Sequence, residues 1–536
     1  MQGNVIIEST GEWEYSLAIV SAAWMSAHDK GRSLILRLCA KLSVGLLLCL
    51  LVSAFSRCQA PDASKLSVRW DKVIRISKTT ATLQVVVNPP LRRGTPVHDN
   101  VFRALHDLQA DYVRYVPWLP YPKLGVAELE PPADGKTSWD FSIIDPMTID
   151  FLDATKGHAV ILNFSTIPQW MYKTDKPVAY PRDPNQVSWN YEEGTELRDP
   201  SAHEVGDYYA RLLAWYAKGG FTDEFAKKHE SGYHYSILYW EVLNEVDFEH
   251  QMNVETYTKI YDSTVAAMRA VQPSTKFVGT ALAAPSQNPH FFEYFLEHKN
   301  HRDGVPLDYI SYHFYAVPNS GETPEIEQYT FFAQADGFLN VVRYIEAIRQ
   351  RLSPETGTMI NEIGAISAED LSQGQAGHSE KPIPNSYWHL TAAMYAYVFG
   401  ELSRLGIDVA GESQLVGYPT QFPSVSMVDW DTGKPNARFW VLRLLKDNFG
   451  PGDKIVETSF SMPDVYALPV VTQAGKHRVL FVNKRERQIT IDVPGASGAQ
   501  LEFVDMSTGS QPSTSARLGA DKVVLGGYSV AVVTFP

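Results

Sequence analysis

Beyond residue 58 the sequence contains no cysteine: all three (Cys39, Cys49 and Cys58) fall in the first 58 of 536 residues. The remaining chain therefore excludes disulfides, a thiol nucleophile and a thiolate metal site, and it must fold on its apolar core alone. Basic residues are also short, since 47 Lys and Arg against 61 Asp and Glu give a net charge of −14. Nucleic acid and anionic membrane surfaces reward a basic face, so neither is expected as a partner. No zinc-finger spacing, P-loop or dinucleotide-binding glycine fingerprint stands in a supporting context. No His/Asp cluster has metal-ligand spacing, and no metal or cofactor is expected.

Long apolar runs are equally scarce. One stands out, LSVGLLLCLLVSAF from Leu42 to Phe55. It is short for a membrane span of about 20 residues and suits a signal-peptide core of about 7–15. Lys30, Arg32, Arg37 and Lys41 supply a positive flank, and cleavage after Ala54 or Ala60 fits the small residues that follow. The stretch ahead of the run is long for a leader; a start at Met25 would give an ordinary one. Residues 1–60 are thus expected to be an export leader, with an uncleaved anchor as the alternative.

What is abundant is an alternation of helix-like and strand-like segments. VFRALHDLQ leads into DYVRYVPW, IIDPMTIDFLDATKG into AVILNFS, and DYYARLLAWYAKGG towards SILYWEVLNE. Four further units end in KFVGTAL, DYISYHFY, TGTMINEIG and DVAGESQL. Seven such transitions in series predict a parallel sheet with helical crossovers. A doubly wound sheet is the rival, but polar or aromatic residues at nearly every strand end favour a (β/α)8 barrel, which carries its chemistry on that face. The first barrel strand falls near Val85–Val87 or in the turn after Pro90. After Pro451-Gly452, alternating stretches such as HRVLFVNK and YSVAVVTF predict an antiparallel β-sandwich. The expected layout is N-terminal strands joining the sandwich over 61–90, a barrel over 91–450 and the sandwich over 451–536.

Two glutamates close apolar strands, Glu245 after YWEVLN and Glu362 after TGTMIN. A carboxylate is costly at such a place unless a site uses or pairs it. Glycosidic cleavage needs two: one acid to protonate the leaving oxygen, and a second carboxylate to attack or to activate water. Each of these glutamates follows an Asn, and they lie about three βα units apart, across one barrel mouth.

YWEVLNEVDFEH resembles the fourth strand of clan A glycoside hydrolases, and TGTMINEIGA resembles the seventh, which ends in the nucleophile. With LDYISYHFYA similar to the sixth strand, the order of landmarks is most similar to glycoside hydrolase family 39, of the β-xylosidase and α-L-iduronidase type. Leu243 and Val246 depart from that family's frequent Trp-Asn-Glu-Pro, and AGESQL lacks the Trp that many clan members carry at the eighth strand.

The resemblance implies a retaining, exo-acting enzyme on a carbohydrate substrate, with Glu245 as acid/base and Glu362 as nucleophile. It also implies that Asn244 contacts a hydroxyl beside the anomeric centre and that Arg114 holds Glu362 ionised. His313 and Tyr315 alternate on one strand and point the same way, as substrate contacts or barrel-top packing. Trp118 and Trp170 are candidate sugar platforms or loop packing. His250 reads as a surface residue and Glu412 as a supporting hydrogen-bond partner. The rival reading is a non-catalytic carbohydrate-binding protein on the same fold, which would require the loss of one carboxylate.

Overall fold

The computed structural model describes residues 64–536, apart from 175, 177–178, 189–194, 373–381 and 420–421. The leader expected over 1–60, with its three cysteines, lies outside the described residues. No helix among the described residues is long and apolar enough to cross a membrane.

Strand β1 (Ser67–Ile76) is followed by the first barrel strand, β2 (Thr80–Val86). Then come β3 (Val113–Val116), β4 (Val160–Leu162), a small hairpin β5 (Gly220–Thr222) and β6 (Lys228–Glu230), and β7 (Tyr239–Glu241). Strands β8 (Lys276–Leu282), β9 (Tyr309–Ala316), β10 (Gly357–Ala365) and β11 (Val409–Glu412) complete the set. The eight strands β2, β3, β4, β7, β8, β9, β10 and β11 pair in that order, and β11 pairs with β2 to close the barrel. All eight ladders are parallel.

The first strand is thus TATLQVV, and the expectation that both N-terminal strands join the sandwich is corrected. Only β1 does so. Seven residues of β2, six of them buried, pair on both sides, as a strand buried on both faces must. Pro89-Pro90 begins just beyond the strand, where a missing N–H costs the ladder nothing.

Alternation along each strand decides what the barrel encloses. On β3, Tyr115 stacks on Phe151 of the helix Ile144–Ala154, while Arg114 turns inward. On β7, Trp240 is fully buried against Phe164 and Tyr209, while Glu241 turns inward. Ile161, Val278, Met359 and Val409 form an apolar floor within the barrel, joined by Tyr112, Tyr239 and Tyr309. The covering helices are amphipathic: His98–Leu108 buries Val101, Phe102, Leu105 and Leu108 and leaves Arg103, His106 and Asp107 outside. Each fully buried Leu or Phe contributes about 1.5–3 kcal/mol, so a barrel of this size needs no covalent staple.

The C-terminal strands are β12 (Lys454–Ser459), β13 (Val465–Val471), β14 (His477–Asn483), β15 (Ile489–Asp492), β16 (Gln500–Val504), β17 (Thr514–Arg517), β18 (Lys522–Leu525) and β19 (Val530–Thr534). They form an antiparallel sheet in the order β1-β12-β13-β14-β19-β16-β17, with a two-stranded β15-β18 sheet beside it. Val479, Phe481, Ile491, Val523 and Ala531 share one small core between these sheets. The helix Asn385–Leu405 docks the module onto the barrel. Its Arg404 donates to Ala467 O at 3.1 Å, and a Cβ on Gly400 would come within 2.5 Å of the Tyr466 ring.

Candidate active site

The chain leaves β7 in a tight irregular path. Leu243 and Glu245 have φ of 61° and 40°, in the left-handed region that β-carbons disfavour. Such residues cost about 1–3 kcal/mol each and persist where their surroundings fix them. Here Asn244 N donates to Ser165 O at 3.3 Å and Glu245 N to Ala281 O at 2.9 Å, so the ends of β4 and β8 hold the segment. Asp247 then accepts from Ala283 N, Ala284 N and Asn288, and Asn253 caps the following helix through Thr256 N at 2.8 Å.

Glu362 is aimed by a different device. A regular strand would send Asn361 and Glu362 to opposite faces. The register of β10 shifts between Met359 and Glu362 against β9, and between Ile360 and Ile363 against β11. This irregularity lets both side chains enter the barrel, as β-bulges beside active sites do.

Arg114 ties the strands together beneath the mouth. Its Nε donates to Glu241 Oε2 at 2.5 Å, and its Nη1 to Glu362 Oε1 at 2.5 Å and Gln84 Oε1 at 2.7 Å. Its Nη2 donates to Asn244 Oδ1 at 2.6 Å. Asn244 gives one of its two amide hydrogens to Glu249 Oε1 at 2.9 Å and keeps the other. Tyr315 Oη donates to Glu362 Oε2 at 2.6 Å and sits 2.6 Å from Ser413 Oγ. Burial holds the Tyr315 phenol well above its ordinary pKa, which keeps it a donor.

The two carboxylates are driven apart. Burial pushes Glu245 up, and the neighbouring Glu362 and Asp247 charges add to it, outweighing the downward pull of His313. Burial also pushes Glu362 up, but the charges of His313 and Arg114 and the hydrogen bonds from Tyr315 and Arg114 reverse that and hold it below the carboxylate norm. Burial pushes His313 down, but its anionic neighbours Glu362 and Glu245 outweigh this and raise it. One carboxyl favours its acid and the other its anion, the division of labour that acid–nucleophile pairs require.

Oxygens of Glu245 and Glu362 and a nitrogen of His313 all lie within 4.8 Å of one another. A cation could span that spacing. However, Glu362 already engages a guanidinium with one oxygen and a phenol with the other, so the donor set suits a carboxylate pair better than a dication.

Of the other sequence candidates, Trp118 reaches this cluster, its indole donating to Glu249 Oε1 at 2.5 Å. Trp170 is instead built into the loops: it donates to Glu128 O at 2.9 Å, and the Arg198 guanidinium covers its ring at 4.7 Å. His250 is corrected from surface to buried, 3.3 Å from both Tyr172 Oη and Ser165 O. Glu412 pairs with Arg438 at 2.9 Å, away from the two carboxylates' own partners.

Sequence reading missed Glu241, Gln84, Asn163, Ser311, Ser413 and Glu249. Only Glu241 carried a signal, a carboxylate inside the apolar run YWEVL.

This barrel, its accessory sheet and the converging carboxylates define a glycoside hydrolase, one acting on carbohydrate. Residues 221–365, which include Glu245 and Glu362, match the profile of Glycosyl hydrolases family 39. Residues 463–533 match the D-apionate lactonase C-terminal immunoglobulin-like domain. Among solved structures, the GH51 arabinofuranosidase from Xanthomonas axonopodis pv. citri is similar at a TM-score of 0.61 and 12% identity, covering 88% of this chain and 99% of that one. A family 51 α-L-arabinofuranosidase from Bifidobacterium longum gives 0.57 at 14% identity, covering 89% and 100%. A GH30 endoxylanase from Clostridium papyrosolvens gives 0.54 at 13%, covering 88% and 100%. These likenesses show the fold, a TIM-type barrel with an accessory β-module. No curated protein matches the chain by sequence.

Proposed function

We propose that the protein is an exported, exo-acting glycoside hydrolase that cleaves O-glycosidic bonds with retention, through a covalent glycosyl-enzyme on Glu362. The observation that supports retention is that one oxygen of Glu245 and one of Glu362 approach within 4.8 Å, with no room left between them for an attacking water. Retaining pairs stand about 5–5.5 Å apart, whereas inverting pairs need about 6.5–9.5 Å to admit a water.

In the first step Glu245 gives its proton to the leaving oxygen as the anomeric carbon–oxygen bond breaks. A Glu362 oxygen forms the new bond to that carbon from the opposite face. In the second step Glu245, now anionic, takes a proton from water; the water oxygen bonds to the anomeric carbon and Glu362 leaves with its electron pair. Arg114 and Tyr315 hold the departing carboxylate's charge. Asn244, fixed at its oxygen by Arg114, presents its amide to the sugar hydroxyl next to the anomeric centre. Trp118 lies beside Asn244 through Glu249 and serves as the stacking platform.

The structural relatives include arabinofuranosidases, an endoxylanase and a glucosidase, a range of sugars that leaves the substrate choice to experiment. Exo action and β-xylosidase-like preference rest on the resemblance of the strand motifs, and export rests on the apolar leader.

A panel of aryl xylosides, arabinofuranosides, glucosides, galactosides and iduronides tests substrate and activity together. Activity is expected to vanish in both Glu245→Gln and Glu362→Gln. Glu362→Gly with azide should return a glycosyl azide of inverted configuration. Full activity in Glu362→Gln, or an inverted sugar from the wild type, would sink the reading.

A further inference from the structure

Directly beneath the catalytic pair lies a third carboxylate, and the mechanism above gives it no task. Glu241 is fully buried and accepts four hydrogen bonds: Arg114 Nε at 2.5 Å, Asn163 Nδ2 at 2.7 Å, Ser311 Oγ at 2.5 Å and Asn361 Nδ2 at 2.6 Å. Both of its oxygens are thus engaged, Oε2 by Arg114 and Asn163 and Oε1 by Ser311 and Asn361, and one of the four donors is a guanidinium. Two of those donors matter for Glu362. Arg114 is the cation that also holds it, and Asn361 is its neighbour on the bulged strand.

We propose that Glu241 is a positioning residue for Glu362: it shares Arg114 so that the guanidinium does not fully neutralise the nucleophile, and it anchors Asn361 so that the bulge keeps Glu362 aimed. The inference rests on the reading of Glu362 as nucleophile. A nucleophile must be ionised yet still basic enough to attack. The charged and titratable groups facing Glu362 are Arg114 from β3, His313 and Tyr315 from β9, and Glu245 beyond β7. With Glu241 absent, Arg114 and His313 would act on Glu362 without a second buried anion to divide Arg114. With Glu241 present, one guanidinium is split between two anions on separate nitrogens.

The geometry makes a clean test possible. In Glu241→Gln the new amide oxygen can still accept from Arg114 and Asn163. The new amide nitrogen would face Ser311 Oγ, which can accept, and Asn361. The Asn361 Oδ1 has no partner in the wild type, so a turn of that amide satisfies the replacement. Removing the anion should move the acidic limb of kcat/KM to lower pH, by roughly half a unit or more, because Glu362 then faces an undivided Arg114. The plateau rate should fall about tenfold as the nucleophile becomes less basic and less well held.

Ser311→Ala should do the opposite. It strips one donor from Glu241, strengthens that carboxylate's hold on Arg114 and moves the acidic limb to higher pH. Glu241→Asp, which keeps the charge, should leave the limb near its wild-type position while lowering the rate.

The experiment is the kcat/KM pH profile of the full chain and the three variants on one aryl glycoside, with thermal unfolding as a check on folding. Opposite shifts in Glu241→Gln and Ser311→Ala support the proposal. Lower rates with unmoved limbs would show a purely structural hydrogen-bond hub and overturn it. If Glu241→Gln does not fold, the upward shift in Ser311→Ala decides alone. Trapping the wild type with a 2-fluoro glycoside separates the two readings: without a Glu362 adduct the nucleophile assignment fails, whereas an adduct with unmoved limbs fails only the role of Glu241.

Discussion

The Nδ1 of His313 lies 2.9 Å from Oε1 of Glu245, and its Nε2 lies 3.6 Å from Oε1 of Glu362. One imidazole therefore faces both carboxylates, and its protonation reports on both. It lowers Glu245 by hydrogen bond and charge, and lowers Glu362 by charge. Replacing it with Ala should let both rise. The whole pH–rate bell should move to higher pH, and its peak should fall by roughly 10²-fold. Acid and alkaline limbs measured on kcat/KM check this; a bell that shrinks in place would show that His313 only packs the barrel top.

Arg114 is buried among Glu241, Glu362, Gln84 and Asn244. Arg114→Met should cost about 3–5 kcal/mol, because buried anions lose their cation. The sign with pH follows from Glu362. Its folded pKa is depressed, so it contributes stability above its ordinary value and loses it as pH falls through the folded one. Denaturant titrations at pH 4 and pH 7 should therefore show a smaller difference between variant and wild type at the lower pH.

Two buried carboxyls away from the pair behave in the opposite sense. Glu128 is pushed by burial up to about 8, with the Glu224 charge adding to it against the pull of Arg211 and of the Ser138 backbone. Burial also pushes Glu412 up to about 7, against the pull of Arg438. A carboxyl raised on folding binds its proton more tightly in the native state, so stability falls as pH rises from its ordinary value through the folded one. The wild-type Tm should drop between about pH 5 and pH 8. Glu128→Gln should flatten that drop, which a calorimetric pH series would read directly.

Trp118 donates its indole hydrogen to Glu249, which also holds Asn244. Trp118→Phe keeps a ring for stacking but removes the donor. It should raise KM several-fold and lower kcat less, at a cost of about 1 kcal/mol. The pH limbs should stay fixed, since no charge changes. A shifted limb would mean that Trp118 acts on the carboxylates rather than on the sugar.

Much of this was readable before any coordinates. The period of the helices and the polar strand ends set out seven of the eight barrel units, and Glu245, Glu362, Asn244, Arg114, His313 and Tyr315 converge as their positions on strand ends implied. The misses have physical causes. TATLQVV alternates poorly because both its faces are buried, and its closing partner β11 is the last strand of the barrel, so the local sequence left the first strand open between the stretch near Val85–Val87 and the turn after Pro90. His250 follows the exposed Phe248 in a polar-looking loop, and only the fold of that loop against β4 buries it. Gln84, Asn163 and Ser311 are inward positions of their strands, indistinguishable in sequence from polar residues at an exposed edge. Trp170 had the right residue type, but its ring is used by Arg198 and its indole by a backbone carbonyl.

The register that sets Ser67 opposite Ser459 closes the protein like a clasp. The barrel is an insertion between two neighbouring strands of one sheet, so a nascent chain cannot seat β1 until β12 has left the ribosome. Until then β1 is a strand without its ladder partner, and Val73, Ile74 and Ile76, which stay exposed even in the finished fold, give it an apolar surface. Synthesis thus carries a long interval of exposed edge, and truncation anywhere before Lys454 would leave that edge permanently unmated, a liability for aggregation rather than for catalysis.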